Sequence, residues 1–351
     1  MPMPIQINGK VITLMKPYTK ANYGSKTVLT DSTFEYVELW LKRQSKTKAK
    51  EALFYWQQSQ SFYKASQVLP IESKPLTAYY CCMNAAKALL AMNDIEMENI
   101  SHGVTGKRND RSINIKNHHI TYSARGVLNH LSILFNEDRN KTEYCIYDLL
   151  YNIPCIHRTF ALTYKNIPEL FVPISDIVFE TTNTIRKKAY LKFRIDSRYN
   201  NGNSLRYFPK CFEKTFDEKD VVNIYYRSKK RVEWDIHADI AKRLTALDAY
   251  HTKQRKNFYY ILGNKRLWYI KKELPNNVHI IKRSSITLIY GVMHWLSELV
   301  RYNPDVFNKL LSSNQNWLIR EFINICLPQY IDEISCEITG SDIMCTGYRK
   351  Q

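Results

Sequence analysis

Residues 76–92 read LTAYYCCMNAAKALLAM, the most hydrophobic helical stretch in the chain. A surface helix is apolar along one stripe, whereas this one is apolar on most sides and belongs at the centre of a helical bundle. Upstream, KAKEALFYWQQSQSFYKAS (48–66) predicts a second helix, and Pro70 and Pro75 bracket the turn between the two. Ser32 followed by Glu35 makes a capping-box pattern that opens a further helix through FEYVELWLKRQ (34–44). Residues 1–30 read as a strand pair or arm. Downstream, SINIKNHHITYS (112–123) is short, polar and rich in β-branched residues, which predicts a hairpin; helices resume in YCIYDLLYNI (144–153) and IHRTFALTY (156–164).

At Arg186 the period changes. In AYLKFRID (189–196), Leu191, Phe193 and Ile195 alternate with Lys192, Arg194 and Asp196, the pattern of a strand with one wet, basic face. Further strands are expected in DVVNIYYRS (220–228) and KRVEWDI (230–236), with one helix near 236–250. NFYYIL (257–262) and KRLWYIKK (265–272) flank Gly263-Asn264, a two-residue hairpin signal. Beyond Arg283 the helical period returns in SSITLIYGVMHWLSELVRYN (284–303), stopped by Pro304, and in NWLIREFINICLP (316–328). The expected fold class is α+β. A mainly α-helical body, residues 1–185 and 284–351, is interrupted by a small basic antiparallel β module, residues 186–283.

Charge is concentrated in that module. Residues 186–283 carry 25 Lys and Arg against 10 Asp and Glu, so 15 of the chain's 18 net positive charges lie there. Nucleic acid is the polyanion that most directly neutralises such a segment. Basic clusters at Arg227, Lys229, Lys230 and Arg231, at Arg255 and Lys256, and at Lys265 and Arg266 are therefore the expected nucleic-acid-binding residues. Tyr225, Tyr226, Phe258, Tyr259, Tyr260, Trp268 and Tyr269 interleave with them, and cations beside aromatics make a single-strand or RNA platform.

The eight cysteines form no CxxC pair and no zinc-like Cys/His spacing, so buried thiols in a reduced cytoplasm are expected. No hydrophobic leader follows Met1, and no apolar run reaches the ~18 residues of a membrane span. No membrane partner is expected. P-loop, GxGxxG, GxSxG and HExxH motifs are absent, and the reading includes no cofactor and no bound metal.

Two polar stripes run along otherwise apolar helices: Thr77, Tyr80, Asn84 and Lys87 on one, and Tyr290, His294, Glu298 and Arg301 on the other. A buried His one turn from a carboxylate suits a general base with its orienting partner, and equally a helix–helix seam.

The PLTAYYCCMNAAKALLAMN stretch (75–93), followed by SHGVTGK (101–107), resembles the YaaC-like proteins of bacteria. The likeness continues through GVLNHLS (126–132) and returns in YGVMHWLSELVRYNPDVFNKLL (290–311), covering about half the chain on both sides of the basic segment. The AYY…AAKALL helix is also similar to the first core helix of HEPN domains. That resemblance implies a HEPN-like helical body and a role in RNA cleavage or in antiviral defence against phage. HEPN ribonucleases pair an Arg with a His across four to six intervening residues, to activate a 2′-hydroxyl and stabilise phosphorane charge without a metal. Arg125–His130 and Arg111–His118 carry this spacing, and His102 stands behind them as a third candidate. The Arg111 pair falls in the expected hairpin and not on a helix, which departs from the family pattern.

The leading expectation is a cytoplasmic, prokaryotic nucleic-acid-binding protein, an RNA-binding ribonuclease or defence effector of the HEPN type. Two alternatives stand beside it. One is a non-enzymatic subunit that binds nucleic acid or a protein encoded alongside it. The other is a metal-dependent DNA nuclease using Asp217-Glu218-Lys219 with Asp196.

Overall fold

The computed structural model describes residues 2–45, 47–95, 101–106, 112–182, 187–217, 220–263, 267–275 and 279–345. The chain opens with a small antiparallel hairpin, β1 (Gln6–Ile7) and β2 (Lys10–Val11), turned by Asn8 and Gly9 at positive φ. After β3 (Val28–Thr30) come three helices: α1 (Thr33–Lys42), α2 (Thr47–Val68) and α3 (Lys74–Met92). Short strands β4 (Val104–Gly106), β5 (His119–Tyr122) and β6 (Thr142–Cys145) follow, with α4 (Val127–Leu134) between the last two. Helices α5 (Ile146–Tyr151) and α6 (His157–Thr163) precede two long strands, β7 (Phe171–Thr181) and β8 (Lys188–Ile195). Next are α7 (Gly202–Leu205), β9 (Phe212–Asp217), β10 (Asp220–Ser228), β11 (Val232–Glu233) and α8 (Ile240–Arg255). Strands β12 (Phe258–Ile261) and β13 (Leu267–Lys271) are followed by α9 (Ser285–Tyr302), α10 (Pro304–Leu311), α11 (Asn316–Thr339) and β14 (Ile343–Cys345).

The fold is α+β, as the sequence predicts, and it divides into two units with boundaries the sequence placed differently. The sheet unit contains Met1–Val28, Glu169–Val278 and Gly340–Asp342; the helical unit contains Leu29–Pro168, His279–Thr339 and Ile343–Gln351. The β module therefore begins at Glu169, not at residue 186, and ends before residue 283. It also takes the N-terminal arm, which the sequence assigned to the helical domain. Backbone hydrogen bonds explain the transfer: Ile5 donates to Phe179 O at 2.8 Å and Thr181 to Met3 O at 2.9 Å, so the arm is stitched along β7.

In the helical unit α3 is central. Ala78, Tyr79, Cys81, Cys82, Ala85, Ala86, Leu89 and Leu90 are at most 1 % exposed, and the helix packs on α2, α9 and α11. Half of the predicted capping box forms. Ser32 Oγ accepts the Glu35 N–H at 3.3 Å, while the Ser32 N–H goes to Thr30 Oγ1 and not to the Glu35 carboxylate. α11 does not stop at Pro328. It continues to Thr339 with every side chain from Gln329 onward buried, and that packing outweighs the ~3 kcal/mol cost of an interior proline. The expected 112–123 hairpin is a 3-10 turn at Ile115–Asn117 followed by β5, the middle strand of the sheet β4-β5-β6.

The sheet unit is antiparallel in the order β12-β13-β7-β8-β10-β9, with β11 paired to β8. Leu191, Phe193 and Ile195 are fully buried on its inner face, as their alternation predicts. The opposite face of β8 is less wet than expected. Lys192 is only 6 % exposed, because its ammonium bridges Glu180 (3.1 Å) and Asp217 (2.7 Å) over the Tyr225 ring. The turn at Gly263 is not a two-residue hairpin: Ile261 pairs with Leu267, leaving a five-residue connection in which Asn264 lies outside the described residues. Among the described residues no helix is long and apolar enough to cross a membrane.

Candidate functional site

Helices α3 and α9 and the loop at residues 101–103 bring two histidines and two tyrosines together inside the helical unit. Tyr79 Oη lies 2.6 Å from His102 Nδ1 and 3.2 Å from Tyr290 Oη, and Tyr290 reaches the His102 carbonyl at 3.2 Å. The His294 ring stands 5.7 Å from the His102 ring and edge-on to Tyr79 at 5.0 Å. Its Nδ1 is buried without a hydrogen-bond partner, 3.7 Å from Glu298 Oε2.

All three contacts are satisfied together in one proton arrangement: the Tyr290 hydroxyl donates to the His102 carbonyl, Tyr79 donates to Tyr290, and the Tyr79 oxygen accepts from His102 Nδ1–H. In that arrangement Nε2 of the half-buried His102 carries the lone pair, with no hydrogen bond among the described residues. Burial first, then the charges of Arg301 and Lys87, hold the His102 pKa below its ordinary value, so the imidazole is neutral near pH 7. Burial, with His102 and Arg301 behind it, takes His294 down to about 3.

Backbone geometry holds His102 in place. Gly103 and Gly126 both adopt positive φ, and a Cβ on Gly126 would lie 2.5 Å from Gly103 N and from Ser101 O. The first α4 N–H groups, from Val127 and Leu128, donate to Ser101 O (3.0 Å) and His102 O (3.4 Å). In α9, Gly291 lets Tyr122 approach, and Gly106 lets the Glu298 carboxylate lie against β4. The stretches AYY, HGV, GVLNHLS and YGVMHW, scattered along the chain, converge on this one loop. A family model of the YaaC-like proteins matches residues 13–338. The chain belongs to the YaaC-like family. No curated protein and no solved structure matches it.

The YaaC-like chain uses the predicted catalytic residues unevenly. Only His102 enters the cluster. Arg125 is exposed in the bend before α4 and His130 is half-buried on α4, with no hydrogen bond joining their side chains among the described residues. His118 lies outside the cluster and is held on both ring nitrogens. It is 2 % exposed, with Nδ1 accepting from Trp295 Nε1 (3.2 Å) and Nε2–H donating to Ser112 O (2.8 Å). Its partner Arg111 lies outside the described residues. Sequence reasoning missed Tyr79. It placed Tyr80 on the polar stripe, whereas Tyr80 stacks on Phe62 and Tyr79 meets His102.

The basic residues of the YaaC-like chain also divide. Arg255 is corrected: it is fully buried, donating to Lys16 O (2.8 Å) and Phe258 O, with its guanidinium 3.8 Å over Tyr18. Arg227 is half-buried and paired with Glu213 at 2.8 Å. Arg194 and Arg198 pair with Asp176 and Asp196. Lys229, Lys230 and Arg231, in the turn between β10 and β11, are exposed with no ion pair among the described residues. Lys256 is exposed at the end of α8, and Lys265 and Arg266 lie outside the described residues.

Of the expected base-stacking aromatics, Tyr269 is half-buried and most of the others are core. Tyr225, Phe258, Tyr259, Tyr260 and Trp268 are at most 9 % exposed, and Tyr226 stacks on Phe193, because a small sheet needs them as core. For the metal-nuclease alternative, Asp217 is committed to Lys192 and Asp196 to Arg198, while Glu218 and Lys219 lie outside the described residues. Among the described residues no three His, Cys, Asp or Glu side chains are grouped to hold a metal ion.

Proposed function

We propose that this YaaC-like protein binds nucleic acid through the sheet unit, gripping the phosphate backbone with Lys229, Lys230 and Arg231. One observation carries the reading: these three cations stand exposed and unpaired in one turn, while Lys192, Arg194, Arg198 and Arg227 are each held by a carboxylate. With Tyr225, Phe258, Tyr259, Tyr260 and Trp268 buried, the grip is chiefly on phosphates. The reading includes a cytoplasmic location and a HEPN-like helical unit built on α3, with the service in RNA processing or phage defence that the likeness implies.

Salt titration tests it. Replacing Lys229, Lys230 and Arg231 together by Ala should lower the slope of log K against log salt. The expected change is about three units on duplex DNA and about two on single strands, from ~0.9 and ~0.7 per phosphate contact. An unchanged slope removes this turn from the interface. A non-enzymatic binding subunit would show the same slope and cut nothing.

A further inference from the structure

We propose that Cys155 and Cys326 form a peroxide-sensitive thiol pair, which closes to a disulfide and staples the turn between α5 and α6 to α11. The pair lies in the helical unit and the cationic turn in the sheet unit, so either reading can fail without the other.

A 3-10 turn, Pro154–Ile156, links α5 to α6 and packs against α11. Ile153, Pro154 and Ile156 are buried and pin the turn, while Cys155 between them stays half-buried. Its Sγ lies 3.1 Å from Cys326 Sγ, across 171 residues of chain. Cys326 is fully buried on α11, so an oxidant reaches the pair through Cys155. A disulfide needs about 2.05 Å between its sulfurs, which leaves about 1 Å to close. α11 can supply that movement. Pro328 has no N–H, so the Asn324 carbonyl loses its helical partner in the same turn that carries Cys326.

The difference in accessibility sets the order of steps. The Cys155 sulfur attacks a peroxide oxygen: the S–O bond forms, the O–O bond breaks, and the departing hydroxide takes the thiol proton to become water. The Cys326 sulfur then attacks the Cys155 sulfenic acid. The S–S bond forms, the S–O bond breaks, and hydroxide leaves with the Cys326 proton as a second water. Two thiols have then lost two electrons to one hydrogen peroxide. Burial first, then the hydrogen bond with Cys155, holds the Cys326 pKa well above the usual thiol range, so it does not begin the reaction and serves as the resolving thiol. Cys81 and Cys82 are fully buried on α3, without an accessible thiol to begin it.

The test treats the full chain with hydrogen peroxide, blocks the remaining thiols with iodoacetamide in denaturant, and maps peptides without reductant. A Cys155–Cys326 link should appear, two fewer thiols should be alkylated, and dithiothreitol should reverse both. Cys155→Ser and Cys326→Ser should each abolish the link, while Cys145→Ser should retain it. The closed form should unfold about 5–10 °C above the reduced form, because the bond ties residues far apart in the chain. Peroxide should leave the Tm of Cys155→Ser unchanged. The wild-type map needs no variant, so it decides the matter even if a Ser variant misfolds. Oxidation of Cys155 to sulfinic acid with no link, a link from Cys155 to a different cysteine, or a Tm that does not rise on closure overturns the staple.

Discussion

His102 and His118 occupy the same unit, and their hydrogen bonds differ. His118 has Trp295 on one nitrogen and Ser112 O on the other, so it braces β5 against α9. His102 has its Nδ1 fixed by Tyr79 and its Nε2 unengaged. Two further histidines carry a stability consequence. His294 in the helical unit and His251 in the sheet unit are both held near a pKa of about 3, by burial first and then by nearby positive or imidazole groups. Their unfolded value is about 6.5, so between these limits the unfolded chain binds the extra proton. Stability from each is complete above about pH 6.5 and falls as pH drops toward 3, by roughly 1.4 kcal/mol per pH unit per histidine. Urea unfolding at pH 7 and pH 4.5 should show this loss, and His251→Gln should reduce it in the sheet unit. Equal pH dependence in wild type and variant would contradict the assignment.

At the scale of elements, α9 and β5 depend on a residue that looks wrong by propensity alone. Gly in a helix interior is ordinarily worse than Ala by about 1 kcal/mol. Gly291 reverses that order, since a Cβ there would collide with Tyr122 Oη, whose hydroxyl donates to Thr287 O at 2.9 Å. Gly291→Ala should therefore destabilise the helical unit by about 1–3 kcal/mol, as overpacking does. Gly202→Ala, with nothing within 4 Å of its Cβ, is the control and should be close to neutral. Chemical denaturation of both variants checks the contrast. The 3.6-residue period located α1, α2, α3 and α9 because each buries a continuous face. It did not carry α11 past Pro328 or announce α4, since in those elements packing overrides a local signal.

Across the whole molecule, the basic window is not a uniform surface. Arg255 and Arg283 are buried braces: Arg283 bonds Ser132, Glu137, Tyr144 and the Asp138 carbonyl, and its guanidinium lies over Tyr122. Net charge therefore overstates the number of cations offered to a polyanion. The sheet unit is also assembled from segments far apart in sequence. Ile5, Ile7, Ile12, Leu14 and Met15 belong to the same apolar cluster as Phe179, Leu191 and Phe193. A chain lacking residues 2–28 should lose the cooperative unfolding of the sheet unit and expose protease sites across 169–278, as limited proteolysis would show. A protease-resistant sheet unit in that variant would mean the arm is dispensable.

Composition and period alone determined that the chain is α+β, that α3 is central and that a cationic, strand-rich segment interrupts a helical body. Those features depend on local spacing and on counts, which a linear string carries in full. Which histidine joins the buried tyrosine pair, which tyrosine of the 79–80 pair meets it and which cations remain unpaired among the described residues were decided only by the tertiary structure. Each depends on the rotation of one helix against another or on the register between strands. A hydrogen bond that spans 23 residues, as from His102 to Tyr79, or 188, as from Tyr290 to His102, leaves no periodic trace in the sequence.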